Sequence, residues 1–382
     1  MKKIDSGGDR LLLILVTFLS VFGVVAVYSA SYYTASEVYG NGWYFTLKQI
    51  GGLFLGLIGM TVAASFDYKK LFKKGKWLFL ASLVLLALVF VPFLSVEVYG
   101  ARRWLDFGLF TVQPSEIAKF TFVLFCAEYL SAKPERIRTF KGVLVVLLAG
   151  GATCLLIITE PNMSITVCVA AVMIAVLFLS GMKIKHFLLI LLPALAAVPL
   201  LIVAEPYRLK RLSAFLDPFE SPKGEGYQLL QSLYGLSDGG LFGVGLFNSR
   251  QKYRFLPFSE SDFILSVIGE EIGFFGLTAL FIVTFIIIAR GIRIAARCDD
   301  LYGYITACGI TAVYAVQVAV NALVVTGSIP PTGLPLPLVS AGNTSLVIFM
   351  TFFGVLYNIS KSKKTEVLTA SENRSIAYRS SL

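Results

Sequence analysis

Long apolar runs separated by short polar stretches fill the chain from residue 11 to residue 360. About 20 apolar residues in a helix cross the hydrocarbon core of a bilayer, which is roughly 30 Å thick. We therefore predict helical spans at 11–33, 46–66, 77–96, 115–131, 142–159, 163–181, 186–204, 263–289, 302–326 and 340–360. The pattern predicts an all-α integral membrane protein of about ten transmembrane helices, with residues 1–360 forming a single domain.

Basic residues in alternate loops predict the orientation of these spans. They follow the second, fourth, sixth, eighth and tenth spans, at Lys69, Lys133, Lys183, Arg290 and Lys361 among others. Because cytoplasmic loops are enriched in lysine and arginine, we expect both termini to be cytoplasmic. The long loop of about 205–261, between spans seven and eight, is then external, and residues 361–382 form a polar cytoplasmic tail.

Composition agrees with a membrane protein and excludes other classes. Charged residues make up 15% of the 382 residues, whereas soluble domains carry about 25%. The net charge of +10 comes from residues that alternate with apolar spans, so we expect contact with membrane lipids and not with nucleic acid. One histidine and five scattered cysteines provide neither a histidine-based metal site nor a disulfide framework.

Charged side chains in and beside the fourth span are the first candidates for chemistry. Arg102 and Arg103 lie in the external loop before it, and Glu116 and Lys119 lie in its first turns. A charge inside a span costs about 2.5–3.5 kcal/mol on insertion scales, which marks it as functional by default. The i, i+3 spacing of Glu116 and Lys119 equally allows a self-compensating structural pair. The sequence leaves both interpretations open.

The segment SESDFILSVIGEEIGFFG at 259–276 contains four acidic residues at or beside the start of the eighth span. Asp262 lies at its outer end, where capping of the helix is the alternative role for Ser261 or Asp262. Glu270 and Glu271 lie deeper, and a helical wheel does not allow both to face one cavity with Asp262. We expect at least one of them to pair with a neighbouring helix.

Three external segments give weaker signals. Arg250 and Lys252 lie in the long external loop against the usual charge bias, which an anionic ligand explains; contact with lipid phosphates is the alternative. The proline-rich apolar segment 321–346, which includes Ser340, predicts a re-entrant or cavity-lining element, with a plain external loop as the alternative. Glu160, in the short turn between spans five and six, is equally interpreted as a functional or a solvated acid.

Many of these segments together carry a resemblance to a known family. They include VYSAS at 27–31, GARRW followed by QPSEIAK, EPN near 160, YRLKRLSAFLDPFESPKGEGYQLLQSLYGLSDGGLFGVGL, SRQKYRFLP, SDFILSVIGEEIGFFG and GLPLPLVSAG. This ordered set resembles the SEDS family of bacterial cell-wall proteins, which includes FtsW, RodA and SpoVE. The resemblance covers nearly the whole chain and is closer to the FtsW and SpoVE branch than to RodA.

The resemblance implies a peptidoglycan glycosyltransferase in the bacterial cytoplasmic membrane. It would polymerise lipid II outside that membrane together with a class B penicillin-binding transpeptidase and other division or sporulation proteins. The family's essential aspartate corresponds to Asp262, with the role of general base. A divalent cation, Mg²⁺ or Mn²⁺, is a candidate cofactor. The substrate-binding residues expected from the motifs and the charge pattern are Arg102, Arg103, Glu116, Lys119, Arg250, Lys252 and Ser340.

Departures from the family pattern and two other functions stay open. Ser261 stands where threonine is usual, Asn162 where aspartate is common, and the segment 340–345 reads SAGNTS instead of SYGGSS. A lipid flippase would also need many helices and intramembrane charges, and an inactive recruiting scaffold is a third class. The candidate residues crowd the outer half of the chain's spans, which favours the enzyme over the flippase.

Overall fold

The computed structural model describes residues 7–98, 101–108, 110–203, 206–219, 224 and 226–362. Helices dominate these residues, as the apolar pattern predicts. In chain order they are α1 (Arg10–Tyr39), α2 (Tyr44–Ser65), α3 (Gly75–Leu88), α4 (Pro114–Ala132), α5 (Phe140–Thr159), α6 (Met163–Leu179), α7 (Ile184–Val203), α8 (Pro206–Leu216), α9 (Tyr227–Gly239), α10 (Ile264–Ala296), α11 (Leu301–Val325) and α12 (Asn343–Ser360).

Six of the described helices are long and apolar enough to cross a membrane, namely α1, α2, α5, α10, α11 and α12. Shorter apolar helical stretches occur at Gly75–Leu88, Met163–Leu179 and Ile184–Pro193. The chain is thus a multi-pass membrane protein. The total of ten spans stays a prediction. Most of the polar tail, residues 363–382, lies outside the described residues.

A small antiparallel sheet follows α3 and corrects the all-α prediction. Its strands are β1 (Ser95–Val98), β2 (Ala101–Asp106) and β3 (Thr111–Val112), in the order β1-β2-β3. Helix α3 ends at Leu88, so the predicted span 77–96 is too long at its end. The predicted span runs into β1 because its valines suit an apolar helix as well as a pleated strand, whereas β2 lies in the segment predicted as an external loop. Arg102 and Arg103 consequently lie on a strand.

The long loop between α7 and α10 has defined structure in its described residues. It contains the helices α8 and α9, and residues 240–263 follow as a series of turns. Glycines allow these turns to pack closely, since a Cβ on Gly239 would lie 2.1 Å from the carbonyl oxygen of Gly269. The loop therefore packs directly on the first turns of α10.

Helix α10 is broken at Gly273, which has φ 66° and ψ −169°. The break frees backbone groups that bond to the preceding loop: Val244 N donates to Glu270 O at 2.9 Å, and Phe274 N donates to Gly240 O at 2.9 Å. A Cβ on Gly273 would lie 2.3 Å from Gly243 N, so only glycine fits both this conformation and this packing. The result is a short outer piece of α10 before Gly273 and a long inner piece after it.

An aromatic core joins α4, α11 and α12. The Phe120 ring of α4 stacks on Phe352 at a centroid distance of 4.3 Å and meets Phe349 edge-on at 5.1 Å. Tyr314 of α11 packs against Phe353 at 5.2 Å. These rings are large apolar surfaces that hold the three helices together. The charged residues of α4 lie beside them in the interior of the bundle, with Lys119 Nζ 5.4 Å from the centroid of the Phe349 ring.

The predicted orientation has a direct test. A reporter fused after Lys364, which lies outside the described residues, is expected to report a cytoplasmic position, and one inserted near Gly224 an external position. The reason is the alternation of basic loops, since lysine and arginine are retained on the cytoplasmic side. Paired alkaline phosphatase and fluorescent protein fusions measure both positions. Reversed results would contradict the orientation and the external location of Asp262.

Candidate functional site

Asp262 lies just before α10 and is partly buried. Phe263 occupies the N-cap position of the helix, so the cap is neither Ser261 nor Asp262. The Asn321 amide of α11 donates to the backbone oxygen of Asp262 at 2.8 Å and to that of Leu334 at 2.7 Å. One buried side chain thereby holds the aspartate's backbone against the segment between α11 and α12.

That segment, residues 326–342, is irregular, and its part at 334–340 is mostly buried. Its carbonyls bond to buried amides: Gln317 donates to Pro335 O at 3.1 Å and Gln49 donates to Ser340 O at 3.1 Å. At Gly333, with φ 86°, a Cβ would lie 3.1 Å from Asp262 Oδ2. The backbone of this segment therefore forms one wall beside the Asp262 carboxylate.

Ser340 fixes the same wall from the other end. Its hydroxyl donates to Ser261 O at 2.6 Å and accepts a hydrogen bond from Leu336 N at 2.8 Å. The side chain is buried, so these two bonds use its hydroxyl inside the protein. The structure thus places Ser340 next to the residue before Asp262, as a support for the wall.

Glu116 and Lys119 form a buried ion pair on α4, as their spacing predicts. Lys119 Nζ lies 2.8 Å from Glu116 Oε1 and 2.5 Å from Gln317 Oε1, and both charged side chains are at most 1% exposed. Gln317 in turn holds Pro335 O. A continuous chain of polar contacts therefore links the ion pair to the wall beside Asp262.

The two arginines of β2 have different partners. Arg103 donates from Nε to Glu160 O at 3.2 Å and from Nη2 to Pro161 O at 2.5 Å. Arg102 lies 3.2 Å from Glu97 on the neighbouring strand, and this pair is exposed. Arg103 thus joins the sheet to the turn between α5 and α6, whereas Arg102 makes its ion pair within the sheet.

Replacing Arg103 by alanine is expected to lower activity, whereas Arg102→Ala is the matched control. Loss of Arg103 releases the turn that holds Glu160, and hydrogen bonds from a charged group are worth about 1.5–3 kcal/mol each. The exposed Arg102–Glu97 pair contributes at most about 1 kcal/mol. The activity that the family resemblance implies, glycan polymerisation, is measured for each purified variant. Equal activity of the two variants would contradict the distinction between these arginines.

The turn between α5 and α6 holds a buried acid and contacts the wall. Asn162 caps α6 by accepting from Ile165 N at 3.3 Å, and the Ser164 hydroxyl donates to Thr332 O. Glu160 is 1% exposed. Burial raises the pKa of the Glu160 carboxyl to about 8, and the nearby Arg103 guanidinium opposes this rise. The interpretation of Glu160 as a solvated acid is wrong.

This buried carboxyl predicts a pH dependence of stability. In the unfolded chain Glu160 has its ordinary pKa of 4.5, and in the folded chain its pKa is about 8. Between these values the folded state holds one more proton, so stability falls as pH rises, by at most about 1.4 kcal/mol per pH unit. The contribution is complete below pH 4.5 and is lost through about pH 8.

Thermal unfolding midpoints between pH 5 and 9 test this dependence. Glu160→Gln cannot ionise, so it is expected to remove this part of the fall. Glu135→Gln, an exposed acid-to-amide change on the other side of α5, is the control. A parental pH profile in Glu160→Gln would show that another group causes the fall.

The loop 249–252 is anchored on the two glutamates of α10. Glu270 accepts from Arg250 N at 2.8 Å and from the Ser249 hydroxyl. Glu271 lies 3.2 Å from Lys252 Nζ and accepts from Ser29 of α1 at 2.5 Å. The expected pairing of a glutamate with a neighbouring helix is confirmed. Lys252 is buried in an internal ion pair, while the Arg250 side chain is exposed.

No group of three or more His, Cys, Asp or Glu side chains comes together among the residues that the structure describes. Cations such as Mg²⁺ prefer several carboxylate oxygens or substrate phosphates as ligands. The described residues therefore do not fit a metal site built from protein ligands alone.

Comparisons with known proteins agree over nearly the whole chain. The family profile described as "Cell cycle protein", for FtsW, RodA and SpoVE, matches residues 9–365. The chain is 37% identical to stage V sporulation protein E of Bacillus subtilis over 92% of this chain and 97% of the relative. It is 38% identical to a probable peptidoglycan glycosyltransferase FtsW of Trichlorobacter lovleyi over 95% of this chain and 96% of the relative.

Solved structures give the same result for the fold. A chain from a peptidoglycan synthase complex, studied for the coordination of polymerization and crosslinking, superposes with a TM-score of 0.78 at 29% identity, over 93% of this chain and 98% of that chain. The rod shape determining protein RodA of Thermus thermophilus superposes with a TM-score of 0.69 at 26% identity, over 94% of this chain and 98% of that chain.

Proposed function

The chain belongs to the family of cell cycle proteins that includes FtsW, RodA and SpoVE, and from this membership we propose that it is a peptidoglycan glycosyltransferase. The substrate is lipid II, a disaccharide-pentapeptide on an undecaprenyl pyrophosphate carrier. The product is a glycan strand at the outer face of the bacterial cytoplasmic membrane. Two relatives named probable peptidoglycan glycosyltransferase FtsW, at least 37% identical over more than nine tenths of this chain, support the activity.

The arrangement around Asp262 carries the proposal for the mechanism. Its carboxylate is partly buried beside the backbone of Gly333, and its own backbone is clamped by Asn321. In glycan polymerisation the acceptor hydroxyl attacks the anomeric carbon of the donor sugar. The bond from that carbon to the carrier pyrophosphate breaks, and the α-linkage is replaced by a β-linkage. Asp262 takes the proton of the acceptor hydroxyl, as a general base.

Arg103 and Arg250 stabilise the negative charge of the departing pyrophosphate in this proposal. Arg103 lies at the turn that contacts the wall, and Arg250 is exposed on the external loop, where a guanidinium can bind phosphate oxygens in a bidentate way. Lys119 is buried and acts through Gln317 on the wall, which makes it a positioning residue. A Mg²⁺ or Mn²⁺ ion belongs to the proposal only as a ligand of the substrate's own pyrophosphate.

Partners follow from the same family membership. A transpeptidase that crosslinks the peptides of new strands is the proposed partner, together with other division or sporulation proteins. The structural likeness to a chain of a complex that coordinates polymerization and crosslinking supports this pairing.

A polymerisation assay with purified protein and labelled lipid II tests the proposal. Glycan strands are expected when a cognate class B transpeptidase is present. No ion gradient is needed, because the reaction takes place outside the membrane. A flippase would instead move lipid II across liposome membranes without forming polymer. Transport without polymer, in the presence of the partner, would contradict the proposed activity.

A further inference from the structure

A cavity of about 260 Å³ lies where the start of α1 meets the ends of α10 and α12. Its charged lining residues are Asp9, Arg10, Arg290, Arg293 and Arg297. Liquid water occupies about 30 Å³ per molecule, so a phosphate group with several waters has room there. The cavity is far from Asp262, since the inner piece of α10 up to Arg293 is alone about 30 Å long.

Among the described residues that line the cavity, the single acid is already neutralised. Arg290 binds Asp9 in a bidentate way, with Nε 2.7 Å from Oδ2 and Nη2 2.8 Å from Oδ1. The Asp9 backbone N–H donates to the Ser360 hydroxyl at 2.8 Å. These contacts connect α1, α10 and α12 on one side of the cavity. They leave Arg10, Arg293 and Arg297 as positive charge that no acid of the lining balances.

Local packing and residue spacing give the lining of this cavity a defined shape. A Cβ on Gly8 would lie 2.8 Å from the Tyr357 ring, so the segment before α1 packs closely on α12. Arg293 and Arg297 are spaced i, i+4, which puts them on the same side of α10. Arginine forks match the geometry of phosphate oxygens better than lysine does. The first residue of α1 is also in the lining, and helix N-termini attract anions.

We propose that this cavity binds the phosphate group of an anionic ligand, either a membrane lipid headgroup or a soluble phosphate compound. The ends of membrane-crossing helices lie at the level of lipid headgroups, where basic clusters attract anionic lipid. The general bias toward basic cytoplasmic loops predicts solvated lysines and arginines. It does not predict a concave lining of four arginines with a partly buried bidentate ion pair.

Binding by the full-length purified protein in neutral detergent tests this site. Native mass spectrometry with phosphatidylglycerol, compared with phosphatidylcholine, probes the lipid source. Equilibrium dialysis with labelled inorganic phosphate and pyrophosphate probes the soluble source. The variant is Arg293→Ala with Arg297→Ala, and both side chains are exposed. The control is Lys183→Ala with Lys185→Ala, which removes the same charge from exposed positions just before and at the start of α7.

The parent is expected to bind at least one anionic probe more tightly than phosphatidylcholine. The arginine variant is expected to bind it about tenfold or more weakly, since one hydrogen bond to a charged group is worth at least that factor. The lysine control is expected to bind it as the parent does. No binding of any anionic probe by the parent overturns the proposal, as does an equal loss in the two variants.

Discussion

Asp262→Asn is expected to remove most glycan polymerisation while the protein keeps its expression level and thermal stability. Asparagine has the size of aspartate but cannot accept the proton of the acceptor hydroxyl. A general base contributes about 10²–10⁴-fold in rate, so a loss of this order is expected. Helix capping does not account for such a loss, because Phe263 occupies the N-cap position. Polymer length and yield from lipid II, with the transpeptidase partner present, measure the effect.

A matched control separates the role of Asp262 from a general effect of charge. Asp238→Asn makes the same chemical change at an exposed position on α9, in the same segment between α7 and α10. It is expected to leave polymerisation near the parental level. If Asp262→Asn retained activity within a few-fold of the parent, the base would have to be another carboxyl group, and Glu116 would be the next to test.

Removing the lysine of the buried ion pair on α4 is expected to have the second large effect. In Lys119→Met the Glu116 carboxylate loses its counter-charge in the protein interior, which costs about 3–5 kcal/mol of stability. Gln317 also loses the donor that fixes it, so the wall beside Asp262 loses a support. We expect lower thermal stability and at least about a tenfold loss of polymerisation, equivalent to about 1.4 kcal/mol in the barrier.

The double variant Glu116→Gln with Lys119→Met distinguishes structural from functional roles of the pair. It leaves no unpaired charge, so thermal stability is expected to return toward the parental value. Activity is expected to stay low, because methionine cannot donate to Gln317. Membrane insertion of each variant is checked by the reporter near Gly224. Parental activity in the double variant would show that the pair only compensates its own charges.

The long apolar helices were predictable because the length of an apolar run directly reports its ability to cross a bilayer, whereas α8 and α9 lie in the segment predicted as a long loop. The ion pair of Glu116 and Lys119 was predictable for a similar reason, since i, i+3 neighbours on a helix must be close. The strands β1 and β2 were not predictable, because the valines of β1 also suit an apolar helix and β2, with its two arginines, matched a loop. Local patterns thus identified the elements that depend on local geometry.

The supports of the site depend on contacts between distant residues. Lys252 lies in the loop and Glu271 lies on α10, 19 residues further along the chain. The sequence therefore could not show that this lysine forms an internal ion pair. The burial of Glu160 is set by packing of its turn and was equally hidden. Gln317 and Asn321 were missed although a signal existed: two amides spaced i, i+4 in an apolar helix mark one polar face.

The break at Gly273 gives α10 two parts with different mechanical surroundings. The outer piece is held by loop 249–252 through Glu270 and Glu271, and it begins two residues after Asp262. The inner piece crosses the hydrocarbon region, where helices tilt to match bilayer thickness. The break itself is bound to the loop, since Phe274 N donates to Gly240 O at 2.9 Å. We therefore expect a change in the tilt of the longer piece to leave the position of Asp262 nearly unchanged.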